Sequence, residues 1–448
     1  MLSFLASCVD DNNVVEDLPN LEERQTAGGG TTVFLASSNS FGRPSPNLSS
    51  LELDKHLNGD VAFNAIFVTA PASVNSGLGT VYNNNSCVSC HPRDGRAAFP
   101  DDVNSFSGFF LRTSIPGNSP DGSPVPTPGF GAQLQNHAIF GFVPEVKFNV
   151  TFDDKKDTLD GAEVILRSPH YAVYDAYKPF PSNALLSPRL APPVFGSGLL
   201  EAIPSESILI NEDANDANSD GISGRANFVF DKISGQTQLG RFGWKASTAT
   251  VYEQCAGAYN HDMGITNPLI SVETWYGQQG MDDGLQDDPE LNIETLEAVA
   301  HYCKTLGVPA SRDYANIDVR RGAAIFEKID CAKCHIPKME TGYNAIQALS
   351  YQTIYPYSDM LLHDMGDALA DNRPDYLATG NEWKTRPLWG IGLTQVVNGH
   401  THFLHDGRAK NMTEAILWHG GEAENSKQKF KQLSTKERND LLLFLNSL

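Results

Sequence analysis

The residues best suited to chemistry in this sequence are two cysteines and a histidine in the pattern Cys-x-x-Cys-His, at Cys87, Cys90 and His91. Thiols three residues apart can add across the two vinyl groups of a haem, and the adjacent histidine can bind the iron. The same pattern recurs at Cys331, Cys334 and His335. The sequence therefore predicts two covalently attached haem c groups, here called the first and the second haem, with His91 and His335 as iron ligands.

Zinc binding and dithiol redox chemistry are the alternative interpretations of these motifs. Zinc ribbons place their second cysteine pair roughly 15–20 residues after the first, whereas most of this chain separates the two motifs. A redox-active Cys-x-x-Cys pair explains neither histidine. Haem attachment accounts for all six residues, and it is the interpretation that we prefer.

The length and charge of the chain limit the kinds of protein it can be. Its 448 residues are enough for two or three domains, and 38 glycines and 26 prolines indicate many loops. A formal net charge of −21 argues against a nucleic-acid partner and against electrostatic binding to an anionic membrane. It is compatible with a basic electron-transfer partner, although such charge is more often a solvated surface.

The first cysteine of the chain lies in a short apolar segment. Leu5-Ala6-Ser7-Cys8 resembles the lipoprotein box of bacteria, in which the cysteine is lipidated after signal cleavage. The segment before it lacks a basic region and is short for a signal peptide, so either the true start lies upstream or the match is accidental. We expect a lipid anchor on Cys8 as the only attachment to a membrane, because no other segment approaches 18 uninterrupted apolar residues.

Two cysteines, Cys255 and Cys303, belong neither to the haem motifs nor to this segment. Haem c is attached outside the cytoplasm, which predicts a location on the periplasmic side or at the cell surface of a bacterium. In such an oxidising compartment the two cysteines form either a disulfide or two buried free thiols. The sequence does not decide between these.

The predicted fold is mainly α, with two cytochrome c-like haem domains in tandem. We expect a signal remnant and tether over residues 1–48, a first haem domain over 49–310 and a second over 311–448. Helices are predicted over 51–70, 292–307, 316–328 and 434–448, the last beginning with the capping box Ser434-Thr435-Lys436-Glu437.

The first haem domain is predicted to contain a large insertion at about residues 100–240. Glycine and proline are frequent there, and residues 146–152 alternate between apolar and polar as a half-buried strand does. Residues 162–167 form a plausible partner across Asp153 to Gly161. The insertion is therefore expected to carry a small antiparallel sheet.

The insertion ends in a segment that resembles the start of a calcium loop. Asp216, Asn218 and Asp220 place oxygen ligands at positions 1, 3 and 5, and Gly221 follows at position 6. Position 12 is Asn227 rather than the bidentate glutamate of an EF-hand. A calcium site is the prediction, and a solvated turn rich in Asp and Asn is the alternative.

From about residue 50 to the end, the sequence resembles the di-haem oxidoreductases described as peroxidases or thiol oxidoreductases. More distantly it is similar to bacterial di-haem cytochrome c peroxidases. The segments that carry the closer resemblance are Gly224-Arg225, Gly240-Arg241-Phe242-Gly243-Trp244-Lys245-Ala246, Asp262-Met263-Gly264-Ile265-Thr266 and Phe403-Leu404-His405-Asp406-Gly407-Arg408-Ala409.

The resemblance to the peroxidases implies roles for three residues around the first haem. Trp244 corresponds to a tryptophan between the two haems, and Gln254 to a glutamine at the open iron face. The glutamate expected from the peroxidases is replaced by Asp262. This residue comes two positions before the expected one, and its side chain is one methylene shorter than that of glutamate. The alternative is that Trp244 and Gln254 are ordinary buried residues. The neighbours His261 and Met263 are candidate iron ligands that would close the site.

The resemblance also implies the sixth ligand of the second haem. Residues 412–420 correspond to the family's helix with a distal methionine, and His419 occupies the ligand position. Imidazole in place of a thioether would lower the haem potential. Met360, Met365 and His405 are the rival ligands, while His405 and Arg408 are expected to support a propionate or the contact between domains.

The resemblance therefore implies a peroxidase-like di-haem oxidoreductase outside the cytoplasm. The first haem would reduce peroxide or a related small oxidant. The second would receive electrons from a small donor protein, a cytochrome c or a cupredoxin. The alternatives are a non-catalytic electron-transfer cytochrome and an enzyme that oxidises thiols or a protein.

Overall fold

The computed structural model describes residues 18–273, 285 and 288–448, so Cys8 and its predicted anchor lie outside the described residues. The protein is 29% helical and 20% strand, with small antiparallel sheets. The prediction of a mainly α fold is therefore wrong, and the fold is mixed. Many of the strands pair over only two or three residues, and such short segments show no apolar periodicity in a sequence.

The helices of the described residues are α1 (Ser50–Phe63), α2 (Cys87–Cys90), α3 (Ser197–Ala202), α4 (Ser205–Leu209), α5 (Val251–Met263), α6 (Ile293–Thr305), α7 (Ile317–Lys328), α8 (Thr394–Asn398), α9 (Met412–Trp418), α10 (Glu424–Gln432) and α11 (Thr435–Ser447). Helices were predicted close to α1, α6, α7 and α11. The first of them ends at Phe63, seven residues before its predicted end at residue 70. The capping box of α11 is confirmed, because Ser434 and Glu437 each accept a backbone N–H from the other.

The strands are β1 (Thr32–Val33), β2 (Val81–Tyr82), β3 (Phe109–Asn118), β4 (Pro124–Val125), β5 (Gln133–Leu134), β6 (His137–Ala138), β7 (Lys147–Leu159), β8 (Ala162–Tyr174), β9 (Leu185–Leu190), β10 (Phe228–Asp231), β11 (Gln236–Leu239), β12 (Val308–Pro309), β13 (Met339–Glu340), β14 (Thr353–Ile354), β15 (Leu362–Asp364) and β16 (Glu382–Lys384). In one antiparallel sheet, β3 pairs with β4, β5 and β9.

The predicted antiparallel pair is present as the long hairpin β7–β8. Its register runs from Lys147 opposite Tyr174 to Leu159 opposite Ala162. Only Asp160 and Gly161 form the turn, and both have positive φ angles, 55° and 75°, as a tight hairpin turn requires. The predicted connection from residue 153 to 161 was too long, because charged residues there belong to exposed strands.

The hairpin also packs on the C-terminal part of the chain. Leu166 is fully buried in the same apolar cluster as Phe326, Trp418 and Phe444. At the tip, Asp160 pairs with Arg438. The insertion therefore contributes to the apolar core beside the second motif. The same core contains residues of α7, α9 and α11.

Residues 18–48 are folded against the body of the protein. Thr32 and Val33 pair in parallel with Val308 and Pro309, and Ala27 is fully buried. The expected tether therefore does not extend into the described residues. Among the helices of the described part of the chain, none is both long enough and apolar enough to cross a membrane.

Candidate active site

A single internal cavity of about 690 Å³ is lined by both Cys-x-x-Cys-His motifs. The first motif forms the four-residue helix α2, and the second begins in a 3₁₀ turn over Cys331–Lys333. In each motif the last histidine amide donates to the carbonyl of the first cysteine, at 2.9 Å in His91 and 3.0 Å in His335. This turn presents both sulfur atoms and the imidazole to the same cavity.

Three histidines on the cavity wall have the same hydrogen-bonding pattern. In each, Nδ1 lies close to a backbone carbonyl oxygen: His91 with Pro192 at 2.7 Å, His335 with Tyr357 at 2.9 Å and His419 with Ala415 at 2.7 Å. A carbonyl oxygen only accepts, so Nδ1 must donate, and Nε2 of the neutral ring is left with a free lone pair. This is the tautomer of a histidine ligand whose second nitrogen is held by the protein.

Burial keeps these rings neutral. It lowers the pKa of His91 and of His335 to about 4, and it lowers the pKa of His419 as well. A neutral imidazole is the form that binds a metal. His419 lies near enough to His335 to contribute to that shift, and both face the cavity. The two rings are therefore suited to bind one iron.

The rivals of His419 differ in their surroundings. Met365 and His405 line the cavity, whereas Met360 is buried in the core away from it. The ring of His405 is stacked on Trp383, with centroids 3.8 Å apart, and its Nε2 has no hydrogen-bond partner among the described residues. His419 remains the prediction, because it has the orienting hydrogen bond.

Trp244 lies on the cavity wall and is fixed by a hydrogen bond from Nε1 to the carbonyl of Leu190 at 3.0 Å. The guanidinium carbons of Arg96 and Arg386 lie over its ring, at 5.4 and 5.0 Å from the centroid. The structure thus brings Trp244 to the cavity shared by both motifs, together with two cations. Its role in moving electrons stays a prediction.

The cavity holds more buried cations than it has carboxylates to pair with them. Arg386 has no hydrogen-bond acceptor or acidic partner among the described residues, and burial lowers its pKa to about 10. Nearby, among the described residues, the buried Lys384 ammonium binds the Arg241 carbonyl and no carboxylate, and burial lowers its pKa well below the usual value. Arg189 has an ion pair with Asp371 at 3.5 Å, but Asp371 also binds Lys245, and neither Nη atom of Arg189 has a hydrogen-bond partner among the described residues.

Buried cations without counter-ions are costly, and a haem carries two propionate carboxylates. The excess positive charge, the orienting bonds of the histidines and the two thiol pairs fit two haem groups in one cavity. His91 and His335 would bind the irons, the four motif cysteines would form the thioether bonds, and the arginines would pair with the propionates.

Helix α5 brings the predicted catalytic residues to the cavity. Thr250 caps its first turn by accepting the amide of Glu253 at 3.1 Å. At ~100° per residue, Gln254 and His261 lie within about 20° of one another on the helix surface, whereas Asp262 is rotated by about 80° from Gln254. His261 therefore shares the face of Gln254, whereas Asp262, the acid that the resemblance implies, lies to one side of that face.

Asp262 and His261 also differ in charge. The carboxylate of Asp262 accepts a hydrogen bond from Nε2 of Gln133 at 2.6 Å, and burial raises its pKa to about 6. Burial lowers the pKa of His261 to about 3, so that its ring is neutral at pH 7. The site thus holds an ionisable carboxyl, a neutral imidazole and the amide of Gln254.

The family model for "Di-haem oxidoreductase, putative peroxidase" matches residues 22–448, essentially the whole chain. The chain belongs to this family. A search of curated proteins finds no match.

The structure of this di-haem oxidoreductase adds a buried charged cluster that sequence reasoning missed. His363 contacts Asp359 through Nε2 and Glu422 through Nδ1, both at 2.8 Å. Its Nδ1 also lies 3.6 Å from Sγ of Cys334. Burial opposes the charge of His363, but the hydrogen bonds to Asp359, Cys334 and Glu422 outweigh it and raise its pKa well above the usual value.

The signals for the missed residues were weak in the sequence. His363 and Glu422 are 59 residues apart, and the cavity arginines come from segments separated by even longer distances. The sequence did contain a signal for the placement of His261. It follows Gln254 by seven residues, and this interval places two side chains on one face of a helix.

The predicted calcium loop is held by its own backbone. Oδ1 of Asp216 accepts the amides of Asp220 at 2.9 Å and Gly221 at 3.2 Å, and Oδ1 of Asn218 accepts the Asp220 amide at 2.9 Å. Asp220 pairs with Lys333 at 3.1 Å. These contacts are those of the turn named as the alternative, and calcium binding stays a prediction.

Proposed function

We propose that this di-haem oxidoreductase is a peroxidase of the periplasmic side or cell surface. One observation carries the proposal: a single cavity contains both Cys-x-x-Cys-His motifs, and α5 lines it with Gln254, His261 and Asp262. His91 would hold the first haem, and His335 with His419 would hold the second. Covalent attachment through the four motif cysteines rests on the motif.

A haem iron with an open coordination position would supply the redox centre at which a peroxide O–O bond is broken. Moving a proton from one peroxide oxygen to the other requires a nearby acid–base group. His261 is neutral and is placed to accept this proton, while the Gln254 amide can donate a hydrogen bond to the substrate. Asp262 is the second proton-transfer group, held by Gln133.

Reduction of peroxide to water consumes two electrons, so the site needs a supply from outside. We propose that the side of the cavity with His335 and His419 receives electrons from a small cytochrome c or cupredoxin. Trp244 is the conduit between the two sides, because it lines the cavity that both motifs share. The net charge of −21 favours a basic donor. A lipid on Cys8 would hold the protein at a membrane.

The second candidate function is that of an electron-transfer cytochrome without a substrate. The observation that favours it is again His261, whose neutral ring faces the cavity and has no hydrogen-bond partner among the described residues. If this ring bound the first iron, both irons would be six-coordinate and peroxide would have no place to bind.

Peroxide consumption by the purified, haem-loaded protein tests the proposal. The protein is reduced by one electron, mixed with hydrogen peroxide and supplied with a reduced small cytochrome c whose oxidation is followed by absorbance. Steady oxidation that requires peroxide supports the peroxidase. No oxidation by the wild type, together with activity gained in His261→Ala, would instead establish His261 as a ligand and support the second candidate.

A further inference from the structure

Two cysteines outside the haem motifs lie close together at the wall of the candidate site. Sγ of Cys255 on α5 and Sγ of Cys303 on α6 are 4.0 Å apart, although 48 residues separate them in the chain. Both line the cavity, and Cys303 is buried. The two helices pack against one another, so the closeness of the sulfurs is a property of the helix interface.

The partner of each sulfur is well defined. Among the described residues, Cys87 is the other cysteine that contributes to the raised pKa of Cys303, and the proposed haem attachment uses Cys87 as a thioether. A bond between Cys87 and Cys255 would prevent that attachment. Cys255 and Cys303 are therefore the one pair near α5 that can be joined without loss of a haem bond.

We propose that Cys255 and Cys303 are joined by a disulfide that ties α5 to α6. The helix so fixed carries Gln254, immediately before Cys255, and His261. The disulfide would fix the position of the cavity-facing side of α5, and neither of its sulfur atoms would contact a substrate.

The reaction that closes the bond is exchange with a disulfide donor. The Cys255–Cys303 bond forms as both S–H bonds break, the donor's S–S bond breaks, and its sulfurs leave as two thiols that take up the two protons. The proposal depends on the proposed extracytoplasmic location in one respect, the identity of this disulfide donor. Closure with a small disulfide is independent of location and of peroxidase activity.

The surroundings predict a long-lived bond. The hydrogen bond between the two cysteines and burial raise the pKa of the Cys303 thiol well above its usual value. When a soluble thiolate attacks the disulfide, Cys303 would be a leaving group, and a thiol of high pKa leaves slowly, so the folded protein should exchange slowly with soluble thiols. The disulfide is expected to form before folding is complete and then to persist.

Mass spectrometry of the haem-loaded protein tests the bond directly. No lysine or arginine occurs between Ala246 and Cys303, so trypsin leaves both cysteines in one peptide, residues 246–304. Under denaturing conditions this peptide should be two hydrogens lighter than the dithiol and should take up two iodoacetamide groups only after reduction. Full alkylation without reduction, both as isolated and after refolding with oxidised glutathione, would overturn the proposal.

Thermal unfolding with matched variants provides the second test. Addition of dithiothreitol during unfolding should lower the midpoint of the wild type and leave Cys255→Ser, Cys303→Ser and the double variant unchanged. The fall in midpoint of the double variant should be much smaller than the sum of the falls in the single variants, because either change removes the same bond. Additive shifts with no effect of dithiothreitol on the wild type would contradict it. Haem content serves as the control for correct assembly.

Discussion

Gln254 and His261 lie about two turns apart on α5, and their side chains face the cavity that contains the first Cys-x-x-Cys-His motif. An amide on this face can donate a hydrogen bond to a peroxide, and a neutral imidazole can accept its proton. Asp262 lies to the side of this face, with its carboxylate held by Gln133. In the proposed mechanism, His261 therefore makes the principal proton transfer and Asp262 modulates it.

The pH dependence of peroxide reduction separates the two groups. Burial raises the pKa of Asp262 to about 6, so its carboxylate forms as the pH rises through that value. The rate should therefore rise between about pH 5 and 7. In Asp262→Asn this rise should be lost, whereas His261→Gln should lower the rate at every pH, by about 10²-fold or more. A rise near pH 6 that persists in Asp262→Asn would remove this carboxylate from the mechanism.

Removal of His419 should change the spin state of the second haem. His419→Ala takes away the imidazole that is proposed opposite His335, so the low-spin signal of that iron in EPR should give way to a high-spin signal. Met365→Leu is the matched control, because Met365 lines the same cavity. An unchanged low-spin signal in His419→Ala, with loss of that signal in Met365→Leu, would make Met365 the ligand.

Arg386 should raise the potential of the first haem. Its cation contributes to the lowered pKa of His91 and has no acidic partner among the described residues. Since positive charge favours the ferrous state, Arg386→Met should lower the midpoint potential by tens of millivolts, where ~59 mV corresponds to ~1.4 kcal/mol for one electron. Redox titration measures it, and the exposed Arg43→Met is the control. A potential that is unchanged or higher would contradict the assignment.

His363 should stabilise the region around the second motif. It is buried between Asp359 and Glu422, so His363→Gln should lower the free energy of unfolding by roughly 3–5 kcal/mol. Because its pKa is raised on folding, its contribution is fully present below the unfolded pKa near 6.5 and is lost as pH rises through the folded value. Denaturant unfolding at several pH values measures this.

The control for His363 is His170→Gln, which removes an exposed histidine that pairs with Asp153. Exposed pairs contribute ~0–1 kcal/mol, so this change should have little effect. Equal losses in the two variants would show that the buried cluster has no special role.

The sequence revealed the local features of this protein and missed those formed by distant segments. Cysteine spacing located both motifs, and the pattern of apolar residues located α1, α6 and α11. The two- and three-residue strands have no such signal, which is why the fold was predicted as mainly α. Arg96, Arg189 and Arg386 meet only through tertiary packing, so their excess charge could not be predicted.

Low-temperature EPR of the purified, haem-loaded ferric protein, repeated after one-electron reduction and addition of peroxide, tests the central claim most directly. The proposed peroxidase predicts a low-spin signal from the iron between His335 and His419, and a high-spin axial signal from the iron bound by His91, in a state that responds to peroxide. Two low-spin signals that peroxide leaves unchanged in both redox states would contradict it and establish an electron-transfer cytochrome.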